Sequence, residues 1–240
     1  MSSPPPSLHA TLLSVLEAHS VAGVTVAVLT GDAGPGSAVE SCAAGVADHL
    51  SKSAMAPETW VEHCSLSKTV GSAFALSYLA ERGVAIDASV NGLLERVKSP
   101  FRLMSAAGKP AAWAGQVQVR HLMDHTGLGM HYVYGIPPSY AGGMPPVLDI
   151  LEGKHGPGRG ACSGMEVGYD RVEVHKEPGT QFGYSGGGFL VLQHILECWE
   201  GGRPIAEIMA PFMLQCGMSA PEDRKVLHCD VATPTTTSPL

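Results

Sequence analysis

Ser65 and Lys68 stand three residues apart at the head of HCSLSKTVGSAFALSYLAERG (63–83), a segment that turns from small polar residues into an apolar helix. Residues at that spacing share a helical face, so the lysine amine can reach the serine hydroxyl. The first N–H groups of a helix lack intrahelical partners, and the helix dipole is positive at that end. A serine placed there can serve as a nucleophile, its own N–H as donor to an oxyanion, and a partly desolvated lysine as its base. Taken alone, the pair reads equally as a cap and a solvated surface residue. A second polar cluster, EPGTQFGYSGGGF (177–189), sets Tyr184 and Ser185 before three glycines and an apolar run. A tyrosine at such a turn can offer its phenol as acid or base once a nearby ammonium lowers its pKa. The plainer reading is a tyrosine packed at a helix start, with glycines serving only the turn.

The elements that must position these groups follow from periodicity. Residues 7–19 predict a helix, with Leu8, Leu12, Leu13 and Leu16 at helical spacing and Ser7 as N-cap. GVTVAVLT (23–30) is a β-branched run ended by the turn signal GDAGPG, and 38–47 can return as an antiparallel partner. The helix beginning near Ser65 carries Leu66, Val70, Phe74, Tyr78 and Leu79 as an apolar stripe, with Gly83 as its stop and Val84 at the Schellman position. Short helices are expected around 88–96 and within 116–129, and longer ones near 187–199 and 203–215. The Gly- and Pro-rich stretch 127–183 is too long for a plain connection and reads as a functional loop region or as short irregular elements.

Composition narrows the function. Of 240 residues, 45% are hydrophobic and 15% charged, which describes a folding chain. A net charge of −7 argues against general binding to nucleic acid or anionic membrane, since both need a basic face. No apolar run reaches the roughly 18 residues that span a bilayer. The N-terminus lacks the basic and long apolar regions of a secretory leader, so the cytoplasm is the default compartment. Six cysteines (Cys42, Cys64, Cys162, Cys198, Cys216 and Cys229) are scattered without a CxxC pair, which predicts reduced and mostly buried thiols. Cys64 beside His63 reads as a packed thiol, because adjacent residues on a helix point apart. His121, His125 and His131 could suggest a metal site, but no HExxH glutamate or clear third ligand accompanies them, and no metal or cofactor is expected. GKHGPGRG reads as a solvated loop, with no strand feeding it as phosphate binding would need.

In order and spacing these segments resemble the serine β-lactamase-like family of class C β-lactamases, DD-peptidases and related esterases. SLSK (65–68) is similar to the family's first motif, and GYSGGGFLVLQHILE (183–197) resembles the second motif and its following helix. VRHLMDHTGLG (119–129) looks like the stretch often found as LLxHTSGL, and RPIAEIMAPFMLQCGM (203–218) like the helix closing on a Pro-Leu-Gly-Met turn. The likeness covers about 20–218 and is carried by the ordered set of motifs. It implies an α/β (α+β), β-lactamase/transpeptidase-like fold: an antiparallel sheet flanked by helices, with a helical subdomain after Ser65 and a cleft holding Ser65, Lys68 and Tyr184. It also implies acyl transfer to and from a small-molecule ester, amide or β-lactam without a cofactor. Ser65 would be the nucleophile and its N–H half of the oxyanion hole. Lys68 would take its proton or keep the field positive, and Tyr184 would shuttle a proton to the leaving group and then activate water. His125 receives a structural role near the loop.

Two departures shape these expectations. Gly186 stands where the second motif has asparagine, which removes contacts to a substrate amide and to the lysine and favours simple esters over lactams. A third motif, Lys- or His-x-Gly on a late strand, is not found in PEDRKVLHCDVATPTTTSPL (221–240). The expected organisation is therefore a lead-in over 1–6, a C-terminally truncated β-lactamase-related domain over 7–220 with an incomplete sheet, and a flexible tail over 221–240. Such a chain is expected to be poorly active unless other sequence completes it. The rival expectation is a catalytically inactive remnant that binds through the same cleft.

Overall fold

The computed structural model describes residues 7–31, 38–61, 64–129, 146–154, 158–159, 166–167 and 171–218. The 1–6 lead-in, His131, Cys162, Cys229 and the 221–240 tail lie outside them, as does the Cys64 side chain. The chain divides into two compact units, Met1–Cys64 and Ser65–Leu240.

In the first unit, α1 (Leu8–His19) begins where Ser7 accepts from the Ala10 N–H at 3.2 Å, as its sequence predicts. Strands β1 (Gly23–Thr30) and β2 (Ala38–Gly45) form the expected antiparallel hairpin, in register from Gly23 opposite Gly45 to Thr30 opposite Ala38. No third strand joins them among the described residues. Among the described residues of this unit the buried apolar side chains are Leu16 and Ala44; Leu13 is exposed, which narrows the predicted leucine face of α1.

The second unit is mostly helical. Its elements are α2 (Ser67–Glu81), α3 (Val90–Arg96), α4 (Ala112–Gln116), α5 (Val119–Met123), α6 (Val147–Leu151), the two-residue strands β3 (Gly158–Arg159) and β4 (Glu166–Val167), α7 (Gly186–Trp199) and α8 (Ile205–Gln215). Helix α7 supplies Val191, Leu192, Ile195 and Leu196 to a core shared with Phe74 and Leu79 of α2, Leu94 of α3, Leu122 of α5 and Leu151 of α6. Ile195 is fully buried. Ile195→Ala should therefore cost about 3 kcal/mol, the transfer term plus the residual cavity. A urea titration would read this as a lower midpoint at unchanged slope.

Helix α2 ends as predicted. Gly83 has a left-handed backbone (φ 67°), its N–H donates to the Ala80 carbonyl, and the Val84 N–H donates to Leu79 at 2.9 Å. This is the Schellman pairing, closed by the buried Val84. The apolar stripe needs one correction: Phe74, Tyr78 and Leu79 are buried, but Leu66 is exposed because it precedes the regular helix. The cysteines also depart from expectation. Cys42 and Cys198 are half-buried and Cys216 is exposed.

At the far end of α2, the Tyr78 hydroxyl donates to Glu200, whose carboxylate also meets Arg82 (3.1 Å) and Arg203 (3.3 Å). Burial first, then the bond to Glu200, pushes the Tyr78 phenol up to about 12. The folded state thus keeps a proton that an unfolded tyrosine releases near pH 10. Its contribution to stability is full below that pH and is lost as pH rises through about 12. Melting temperature should fall more steeply over this alkaline window in the native chain than in Tyr78→Phe.

Candidate active site

Ser65 sits in a short 3₁₀ turn, Cys64–Leu66, that leads into α2 at Ser67. The sequence predicts it on the α-helix itself; the tighter turn is the difference. In 3₁₀ geometry side chains three apart eclipse, so the turn still brings Lys68 over Ser65. The Lys68 Nζ donates to Ser65 Oγ at 3.2 Å. Ser65 is exposed and Lys68 half-buried.

Tyr184 comes from the segment before α7, 119 residues along the chain, and its hydroxyl donates to the same Ser65 Oγ at 2.5 Å. The Lys68 ammonium also lies 5.4 Å from the Tyr184 ring centre and 5.7 Å from that of Phe189. Burial tends to raise the Tyr184 phenol. The bonds from Ser65 and Lys68, together with the lysine charge, outweigh it and hold the phenol below its ordinary value. The three residues singled out by sequence are thus brought together around one hydroxyl, all within the second unit.

What holds Tyr184 there is local. Ser185 caps α7, its buried hydroxyl accepting from the Gly188 N–H at 3.0 Å. The Ser185 N–H donates to His125 Nδ1 at 3.0 Å, and the Gly183 N–H donates to the His125 carbonyl at 2.8 Å. The His125 ring lies against Tyr184, with centroids 4.4 Å apart, and within 5.8 Å of Phe182 and 5.5 Å of Phe189. A backbone N–H can only donate, so Nδ1 carries the lone pair of a neutral imidazole. Burial, then the neighbouring Lys68 charge, holds this imidazole below its ordinary pKa, with Asp124 opposing.

His121 is nine-tenths buried and accepts from the Gln118 N–H through Nδ1 at 3.2 Å. Of the three histidines read as possible ligands, His121 and His125 are thus each engaged with a backbone N–H. Among the described residues, no group of three or more His, Cys, Asp or Glu side chains could hold a metal ion. No helix of the described residues is long and apolar enough to cross a membrane.

The sequence profile of the family described as Beta-lactamase matches residues 10–222. The chain belongs to the β-lactamase family. Its fold is accordingly β-lactamase/transpeptidase-like, here with a two-stranded antiparallel sheet that is not closed. Among solved structures it is similar to EstCE1, a hydrolase with promiscuous acyltransferase activity, at 20% identity and a TM-score of 0.55, covering 86% of this chain and 49% of that one. It is similar to the D-amino acid amidase from Ochrobactrum anthropi SV3 at 22% identity and a TM-score of 0.57, covering 87% and 49%. The class C β-lactamase from Rhodobacter sphaeroides matches at 20% identity and a TM-score of 0.52, covering 88% and 49%. The chain thus spans about half the length of these structures. No curated protein matches it by sequence.

Proposed function

We propose that this member of the β-lactamase family is a serine hydrolase that works through an acyl-enzyme, with a simple ester as the favoured substrate. The observation that carries the proposal is the convergence of Lys68 Nζ and Tyr184 Oη on Ser65 Oγ. In the first step Lys68, with its amine unprotonated, takes the Ser65 Oγ proton as Oγ bonds to the carbonyl carbon. The tetrahedral oxyanion takes a hydrogen bond from the Ser65 N–H. Tyr184 then gives its proton to the leaving group as the carbonyl–leaving-group bond breaks, and the acyl ester remains on Ser65. The tyrosinate draws a proton from water, which attacks the ester; as the acyl–Oγ bond breaks, Lys68 returns its proton to Ser65 Oγ and the acid is freed.

Esters are favoured over lactams because of Gly186. A Cβ at that position would meet no atom within 4 Å, so the glycine leaves out a side-chain amide without filling its space. The hydrolase with acyltransferase activity and the amidase among the similar folds are in keeping with acyl transfer through Ser65. The test is a fluorophosphonate probe followed by mass spectrometry of the digested chain, with the adduct expected on Ser65. An adduct only on another residue, or none, overturns the reading, and none would favour the binding remnant.

A further inference from the structure

We propose that His125 is the positioning residue for Tyr184, holding its phenol at Ser65 by gripping the backbone on both sides of it. The inference deepens the hydrolase reading and rests on it for its catalytic meaning, but not for its geometry.

Tyr184 is flanked by two N–H groups, of Gly183 and Ser185, and both end on one residue. The first meets the His125 carbonyl at 2.8 Å, the second the His125 Nδ1 at 3.0 Å. One residue can accept from both because His125 adopts a left-handed backbone (φ 62°), a conformation that asparagine and histidine tolerate better than most side chains. That backbone is itself braced. Asp124 accepts from the Thr126 N–H (3.0 Å) and hydroxyl (2.6 Å), and the Thr126 N–H also reaches the His121 carbonyl. The ring of His125 then closes against the phenol ring, with centroids 4.4 Å apart.

Only a neutral imidazole can play this part, because an imidazolium would turn an N–H toward the Ser185 N–H. The charged and titratable groups facing the ring are Lys68 from α2, Asp124 beside it and Tyr184 itself. The ammonium favours the neutral ring and Asp124 opposes it. An aromatic ring without a ring acceptor, as in His125→Phe, would keep the stacking face but leave the Ser185 N–H unpaired. An asparagine would keep the left-handed backbone and offer an amide oxygen in place of Nδ1.

The test reads Tyr184 directly. Ultraviolet difference titration of tyrosinate, with the Tyr184→Phe chain subtracted, isolates the phenol at 184 whether or not the protein turns over substrate. In His125→Phe the midpoint should move up toward the ordinary phenol value as the hydroxyl drifts from Ser65 and Lys68. His125→Asn should move it less. A role confined to fold stability would lower the melting temperature and leave the midpoint in place, and an unchanged midpoint in folded His125→Phe overturns the proposal. If His125→Phe fails to fold, His125→Gly, which accepts the left-handed backbone but lacks the Nδ1 acceptor and the ring, decides by itself: a shift supports the inference and no shift ends it. Loss of the Ser65 adduct in the native chain would remove the hydrolase reading while leaving this titration free to stand or fall.

Discussion

Ser65→Ala should abolish covalent capture of a fluorophosphonate and reduce hydrolysis of an activated ester by roughly 10⁴-fold or more, toward the background set by the remaining donors. The size follows from the role: removing the nucleophile of a serine hydrolase removes the step the other groups assist, and in other enzymes that costs roughly 10⁶-fold. The substitution should not unfold the chain. Ser65 is exposed and takes part in no buried contact, so its melting temperature should stay within about a degree of the native value. Labelling that persists in the alanine chain would place the reactive group elsewhere.

Tyr184→Phe should act differently, and the difference distinguishes a proton donor from a structural tyrosine. An alkoxide is a poor leaving group and needs a proton as it departs, whereas p-nitrophenolate does not. Loss of the phenol should therefore slow alkyl-ester hydrolysis by roughly 10³-fold, within the range seen for general acids and bases. In kcat/KM, which reads acylation alone, the p-nitrophenyl ester of the same acid should lose far less, because the water-activating step that Tyr184 also serves comes later. Equal losses in kcat/KM on the two esters would mean that the phenol only shapes the site, and no loss on either would remove Tyr184 from the chemistry. The hydroxyl bonds to Ser65 at 2.5 Å, so the phenylalanine chain also loses a partner for the serine, and some decline on both esters is expected.

The residues gathered at this site were readable because their signals are local. A serine and a lysine three apart, and a tyrosine before a run of glycines, are patterns within a single turn. The β1–β2 hairpin was legible for the same reason: a β-branched run, a glycine-rich turn and a returning strand. Helices α4 and α6 were not foreseen. At five residues each they are too short to repeat an apolar spacing, and their helical form comes from packing, as with Ala114 and Leu151 in the core. The part played by His125 was hidden for another reason. Its two accepted bonds join residues about 60 positions apart, and they depend on a left-handed backbone that no spacing reveals. The sequence offered only its place within VRHLMDHTGLG.

The turn at Cys64–Leu66 works like a short screw thread. Each added residue advances the chain and swings the following side chains by about 120° about the axis in the 3₁₀ turn, and by about 100° in the helix that follows. Leu66 is exposed and Ser67 faces solvent, so their side chains can change with little effect on the pairing around them. Their number cannot. One residue more or fewer between the hydroxyl and the amine would aim the amine past its target, so this site tolerates drift in the letters between its two groups but not in their count.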